Sequence, residues 1–316
     1  MEFLTEKTFA EGIKKIEKQL EAVKTEGYIP SFDGIKLHYE FFKTENAKAT
    51  VVAVHGLSEF TKKYYEFTYA MTESGFNVML YDQRCHGLSE RLTDDVRLIH
   101  VDDFSDYVKD LEHIIEKTKA LSEKPIYLYA HSMGGAVTAF YLEKHGGIEK
   151  AVLASPMFLP VASGLPPFLA RILLRFCELR VGKSTRFRYT KDFNPNHQFK
   201  NTSDASYARF CHNMDMRRSD ERYQSTPLTV GWTLRSLCLA PSLMRAAKRI
   251  TTPILLLSPE NDTVVKIKPQ YRFARLCKSC TIQNVKNAKH SMLTGDDETV
   301  KSHLLQIIDY FSSPSA

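Results

Sequence analysis

Ile126-Tyr127-Leu128-Tyr129-Ala130-His131-Ser132-Met133-Gly134-Gly135-Ala136 sets an apolar, β-prone run directly against a glycine-containing helical start, with one serine at the junction. A strand that turns straight into a helix brings two backbones close together. Small residues are therefore needed two before and two after the turning point, where Ala130 and Gly134 stand. Such a turn pushes the Ser132 side chain out above the sheet, at a helix N-terminus that favours developing negative charge. Ser132 is the candidate nucleophile, and the Met133 N–H a candidate oxyanion donor. A small-x-Ser-x-Gly string is weak alone, because Ser also begins ordinary helices. Its weight comes from the flanking elements.

Outward from this junction, the runs at 50–54, 77–81, 125–129, 150–154, 254–257 and 281–285 are short and mostly apolar, as in strands covered on both faces. Helical patterns lie between or after them at 62–74, 103–121, 133–145, 269–277 and 297–311. Strand and helix alternate, so the fold class is α/β with a mostly parallel central sheet and helices on both faces. Ahead of it, 27–43 alternates around Asp33-Gly34 and reads as an antiparallel hairpin, preceded by an amphipathic helix rich in Glu and Lys. About a hundred residues separate the runs at 150–154 and 254–257, too many for a plain connection, and read as an inserted helical cap. The expected organisation is an N-terminal helix at 1–26, a core at 27–155, the cap at 156–249 and the rest of the core at 250–316.

A serine nucleophile needs a base, and the base an orienting acid, in the chain order Ser, acid, His for such a sheet. Leu255-Leu256-Leu257-Ser258-Pro259-Glu260-Asn261-Asp262 is a buried-type strand ending in a polar turn, which puts Asp262 at the edge where open α/β sheets bind ligands. Glu260 competes with it. Of the later histidines, His197 and His212 fall in the insertion and His303 in the last helix, where packing or surface roles are expected. His290 lies in the loop between the last strand and the last helix, from which a base reaches back to Ser132. His55-Gly56-Leu57-Ser58-Glu59 follows the strand at 50–54, so the Leu57 N–H is the second candidate oxyanion donor. Asp82, Arg84 and His86, in the next strand-ending loop, are expected to bind neighbouring loops and not substrate.

With 43% apolar and 25% charged residues over 316 positions, the chain has material for a large core, against a disordered or low-complexity polymer. No stretch reaches the roughly 18 uncharged apolar residues of a membrane span, and the N-terminus lacks a secretory apolar region. A cytoplasmic protein, at most peripheral to a membrane, is expected. Six dispersed cysteines suit reduced thiols, and Cys277-x-x-Cys280 has no second pair to complete a metal site. Phosphate-loop, dinucleotide and zinc-protease motifs are absent, so no cofactor, no metal and no nucleic-acid partner is expected.

Together, His55-Gly56-Leu57-Ser58-Glu59, Tyr81-Asp82-Gln83-Arg84-x-His86-Gly87-x-Ser89, His131-Ser132-Met133-Gly134-Gly135, Glu260-Asn261-Asp262 and His290 resemble the lysophospholipase and monoacylglycerol lipase branch of the α/β-hydrolases. The resemblance runs from about residue 27 to the end. It implies the α/β-hydrolase fold, triad roles for Ser132, Asp262 and His290, donors at Leu57 and Met133, and a helical cap over the site. It also implies hydrolysis of single-chain lipid esters. Cys85 and Ala130 stand where the family often has Gly. A peptidase, a thioesterase and a non-catalytic binding protein on the same fold are the alternatives.

The insertion carries 16 Lys/Arg against 6 Asp/Glu, which leaves 27 against 31 elsewhere out of 43 and 37. This excess suits an anionic lipid surface or anionic substrate, or equally a solvated face. Within it, Leu165, Phe168, Leu169, Ile172, Leu173 and Phe176 share a helical face that is expected to pack on the core. Lining an acyl channel or touching lipid are its other uses.

Overall fold

The computed structural model describes residues 2–161 and 165–314. Residues 162–164, inside the stretch expected to form the cap, lie outside the described residues.

Eight strands form one sheet: β1 (Lys24–Pro30), β2 (Lys36–Phe42), β3 (Ala49–Val54), β4 (Phe76–Tyr81), β5 (Ile126–His131), β6 (Lys150–Ala154), β7 (Ile254–Pro259) and β8 (Cys280–Val285). Their spatial order is β1-β2-β4-β3-β5-β6-β7-β8. β1 and β2 form the antiparallel hairpin, and β2 also meets β4 antiparallel. From β4 to β8 every pairing is parallel. The hairpin starts at Lys24, so the first strand takes three residues from the segment read as helix.

Period-two alternation divides the central strands between two cores. Val52, Val54, Leu128 and Leu153 face one, closed by α3 (Ser105–Leu121), α4 (Met133–Lys144), α8 (Leu239–Ala246) and α9 (Ile267–Leu276). Val51, Ala53, Tyr129, Val152 and Leu257 face the other, closed by α1 (Phe9–Val23), α2 (Tyr65–Glu73) and α10 (Asp297–Ser312). Both faces of β3, β5 and β6 are thus dry, which is why those runs are continuously apolar.

Between β6 and β7 lie α5 (Pro167–Val181), α6 (Tyr207–Ser219), α7 (Val230–Leu237) and α8. α5 differs from the expectation of core packing. Its buried residues are Ala170 and Leu174, in a small cluster with Val230, Leu234 and Leu237. Leu165, Phe168, Ile172, Leu173 and Phe176 are exposed, Phe168 at 60% and Phe176 at 64%. The helix carries more apolar surface than its packing against α7 covers. α6 is tied to the core from several sides: Arg209 forms paired bonds of 2.8 and 2.6 Å to Glu66 of α2, and Glu6 accepts from Ser206 at 2.6 Å.

Candidate active site

The β5–α4 junction turns at Ser132, whose backbone sits at φ 51, ψ −114. A non-glycine residue there is strained and persists because its surroundings fix it. Ser132 N donates to Ala154 O of β6 at 3.0 Å, and Ser132 O accepts from Gly135 N at 3.0 Å and Met157 N at 2.8 Å. A Cβ on Gly134 would stand 2.1 Å from Val54 O, so the first turn of α4 lies against the end of β3. This close approach explains the glycine.

The Asp262 and His290 loops follow the neighbouring strands β7 and β8, and are bonded to each other. Asn261 N donates to Ala288 O at 2.9 Å, and Asn287 N to Glu260 Oε2 at 3.0 Å. Asp262 Oδ1 accepts from the Val264 and Val265 N–H groups at 2.8 and 2.9 Å, which fixes the carboxylate. Its Oδ2 accepts from His290 Nδ1 at 2.7 Å. With that proton on Nδ1, Nε2 carries the lone pair and accepts from Ser132 Oγ at 2.9 Å. The structure therefore brings Ser132, His290 and Asp262 into one relay, and leaves Glu260 on the Asn287 backbone.

His290 is 5% exposed. Burial, joined by the neighbouring His131 ring and opposed by the Asp262 hydrogen bond, holds its pKa below the ordinary imidazole value. The ring is neutral at pH 7 and free to take a proton. The N–H groups of Leu57 and Met133 have no acceptor among the described residues. Leu57 lines the cavity above Ser132. Such a set can activate a hydroxyl and hold the negative charge that forms when it attacks a carbonyl.

Beneath the relay is a buried network with no local sequence signal. Glu59 Oε2 accepts from Gly56 N at 2.6 Å and Tyr64 OH at 2.6 Å, lies 3.0 Å from His131 Nδ1, and its other oxygen pairs with Lys63. His131 Nε2 reaches His290 O at 3.3 Å, and Ser155 Oγ donates to the same carbonyl at 2.8 Å. Burial alone would raise the Glu59 pKa, but the His131 and Lys63 charges outweigh it and hold the carboxyl well below its usual range. The network ties the Leu57 loop to the His290 loop. Glu59 and His131 were visible as polar residues beside Gly56 and Ser132, but their meeting across 72 positions depends on the β3–β5 pairing.

The next loop stays outside the cavity. Asp82 accepts from Thr61 N at 2.8 Å and Leu88 N at 2.9 Å. Arg84 forms paired bonds of 2.6 Å to Asp110, and His86 Nδ1 meets Arg84 O at 3.0 Å. Cys85 is buried at φ 62, the left-handed region that glycine favours. His303 is buried and bonded to Tyr129 OH at 3.1 Å, and His212 lies 3.4 Å from Glu17, whereas His197 lines the cavity.

Ser132 and His290 open into a cavity of about 1050 Å³, with apolar walls that include Met157, Leu173, Leu174, Phe187, Trp232 and Val265. Most of these come from the segment between β6 and β7. Among the described residues, the side chains close enough to share a metal ion are Glu26, His38 and Glu40 on the β1–β2 hairpin. Lys24 already ion-pairs with Glu26 there at 2.9 Å, and none of the three lines the cavity.

Compared with known proteins, residues 45–298 match the family model described as Serine aminopeptidase, S33. The chain is 29% identical over 309 residues to Lysophospholipase L2 of Escherichia coli K12, covering 92% of this chain and 89% of that protein. It is 26% identical over 292 residues to Monoglyceride lipase of Mus musculus, covering 90% and 89%. Among solved structures, a soluble variant of monoglyceride lipase from Saccharomyces cerevisiae, in complex with a substrate analogue, superposes with a TM-score of 0.74 at 18% identity over 92% and 95% of the two chains. A thermostable carboxyl esterase from Bacillus coagulans gives 0.73 at 15% identity over 92% and 98%. At these identities the structural likeness speaks for the fold.

Proposed function

The chain belongs to the Serine aminopeptidase, S33 family and has the α/β-hydrolase fold, and on that premise we propose that it hydrolyses the carboxylic esters of single-chain lipids, lysophospholipids or monoacylglycerols. The observation that carries this is the Asp262–His290–Ser132 relay opening into a large, mainly apolar cavity. The whole-length similarity to a lysophospholipase and a monoglyceride lipase supports the choice of ester and acyl chain.

Ser132 Oγ attacks the ester carbonyl carbon while its proton passes to His290 Nε2, and Asp262 stabilises the imidazolium. The carbonyl oxygen becomes an oxyanion held by the N–H groups of Leu57 and Met133. The intermediate collapses, the C–O bond to the glycerol side breaks, and His290 gives its proton to that leaving oxygen. Water, deprotonated by His290, then attacks the acyl-enzyme and releases the fatty acid and the free Ser132 hydroxyl.

Within the segment at 156–249, α5 to α7 act as the cap, with the inner sides of α5 and α7 against the acyl chain, while α8 packs on the sheet. The outer face of α5, where Phe168, Ile172 and Phe176 are exposed on a helix that also carries Arg171, Arg175 and Arg180, rests on the membrane that supplies the substrate. No helix among the described residues is long and apolar enough to cross a membrane. Six free cysteines suit the reducing cytoplasmic side.

The family description itself favours a second reading, a peptidase. A hydrolysis panel of p-nitrophenyl esters, lysophosphatidylcholine, monoolein and proline amides separates the two. Turnover of the lipid esters, abolished in Ser132→Ala, is expected. A strong preference for proline amides would replace the lipid assignment.

A further inference from the structure

The cavity is lined by two chemically distinct sets of side chains. Leu173, Leu174, Phe187, Leu228, Trp232 and Leu237 are apolar, while Lys63, Ser203, Asp204, Asn213 and Arg217 are polar or charged. Two of the polar residues, Lys63 and Ser203, lie at the reactive end. Lys63 pairs with Glu59, which meets His131 beside Ser132, and Ser203 Oγ lies 3.0 Å from the hydroxyl of Ser291, next to His290.

Arg217, near the end of α6, stands out among the polar residues. Its neighbours in sequence have carboxylate partners: Arg209 pairs with Glu66 at 2.6 Å, Arg218 with Asp215 at 2.9 Å and Arg222 with Asp220 at 2.6 Å. Among the described residues, no carboxylate lies within 4.0 Å of Arg217. Its Nη2 donates to Thr226 Oγ1 at 2.7 Å, the guanidinium stacks 4.6 Å from the Phe193 ring centre, and Nε is buried with no hydrogen-bond partner. Burial, countered by the charge of Asp204, brings its pKa down to about 10, which still leaves it fully charged at neutral pH. A desolvated cation without a counter-charge is unfavourable by itself, and a ligand anion in the cavity relieves that deficit. Lys63 is close enough for its charge to act on Arg217, so the site sets two positive groups against two carboxylates, Glu59, which pairs with Lys63, and Asp204, whose charge acts on both and whose distance from Arg217 exceeds that of an ion pair.

We propose that Arg217, assisted by Lys63, binds the phosphodiester of the substrate headgroup, so that a lysophospholipid is preferred over a neutral monoacylglycerol. This rests on the lipid-ester function proposed above. The glycerol backbone puts the phosphate near the scissile ester, as Lys63 and Ser203 are near the reactive end, and the acyl chain extends along the apolar side chains. A planar guanidinium suits this contact because its N–H groups can meet two phosphate oxygens at once.

The test is the ratio of kcat/KM for lysophosphatidylglycerol to that for the monoacylglycerol of the same chain, in the same detergent micelles. The wild type favours the lysophospholipid, and Arg217→Met lowers the ratio by roughly ten- to a hundredfold, the scale of a charged hydrogen bond. Arg217→Lys, which keeps the charge and loses the fork, falls between them. A measurement on the unaltered protein guards against misfolding: glycerophosphoglycerol competes with a p-nitrophenyl ester, and inorganic phosphate does so much more weakly. Parallel loss on both lipids in Arg217→Met would overturn the assignment, as would inorganic phosphate competing equally well, which marks a free-anion site. If the wild type cleaves neither lipid but cleaves proline amides, the proposed function itself fails.

Discussion

At the sheet edge, β5, β7 and β8 deliver Ser132, Asp262 and His290, the β7 and β8 loops bonded through Asn261 N–H to Ala288 O and the β5 turn joined to the His290 loop through the His131 ring, and every one of the three residues is largely withdrawn from solvent. In the segment between β6 and β7, α5 buries only Ala170 and Leu174 and leaves Phe168 and Phe176 more than half in solvent. Both regions surround the same cavity. The difference teaches that Ser132, Asp262 and His290 are positioned by loops anchored to the sheet, whereas α5 buries few of its apolar residues and keeps apolar area unspent.

The comparison breaks most readily at Asp262. Asp262→Asn preserves an oxygen for the Val264 and Val265 N–H groups but loses the acceptor that fixes the His290 tautomer. A fall in kcat of about ten-thousandfold is expected with little change in Tm, checked by steady-state assay and thermal melting. Gly134→Ala probes that anchoring directly. The added methyl meets the Val54 and His55 carbonyls, and because strand backbone cannot give way as a side chain can, a loss of about 1–3 kcal/mol in denaturant unfolding is expected. On the other side, Phe168→Ser with Phe176→Ser sharpens the contrast. Stability is expected to stay within about 0.5 kcal/mol of wild type, as for ordinary surface changes. Turnover on anionic vesicles falls roughly tenfold, while turnover of a soluble p-nitrophenyl ester does not follow it.

The same division governs what could be read from the sequence. Dry strands such as Val51–Val54 and Ile126–Tyr129 announce themselves because both faces must be apolar, and the tight turn at Ser132 shows through its small neighbours. The placement of Asp262 and His290 follows from strand order, which sets which loops share an edge. The Glu59–His131 contact and the unpaired Arg217 were not legible, because each depends on long-range packing that no local period encodes. α5 was legible as a helix but not in its orientation. Its apolar stripe is broad, and the tertiary contact with α7 turns Ala170 and Leu174 inward.

The most direct measurement is the pH dependence of fluorophosphonate labelling, with the adduct located by mass spectrometry. His290 must be neutral to accept the Ser132 proton, and its folded pKa lies below the usual imidazole value of about 6.5. The labelling rate is therefore full at neutral and higher pH and declines only as pH falls through a value below 6.5. The adduct is expected on Ser132 alone, with loss of labelling in His290→Ala. An unlabelled wild type, or an adduct on another serine that survives both His290→Ala and Ser132→Ala, would contradict the relay.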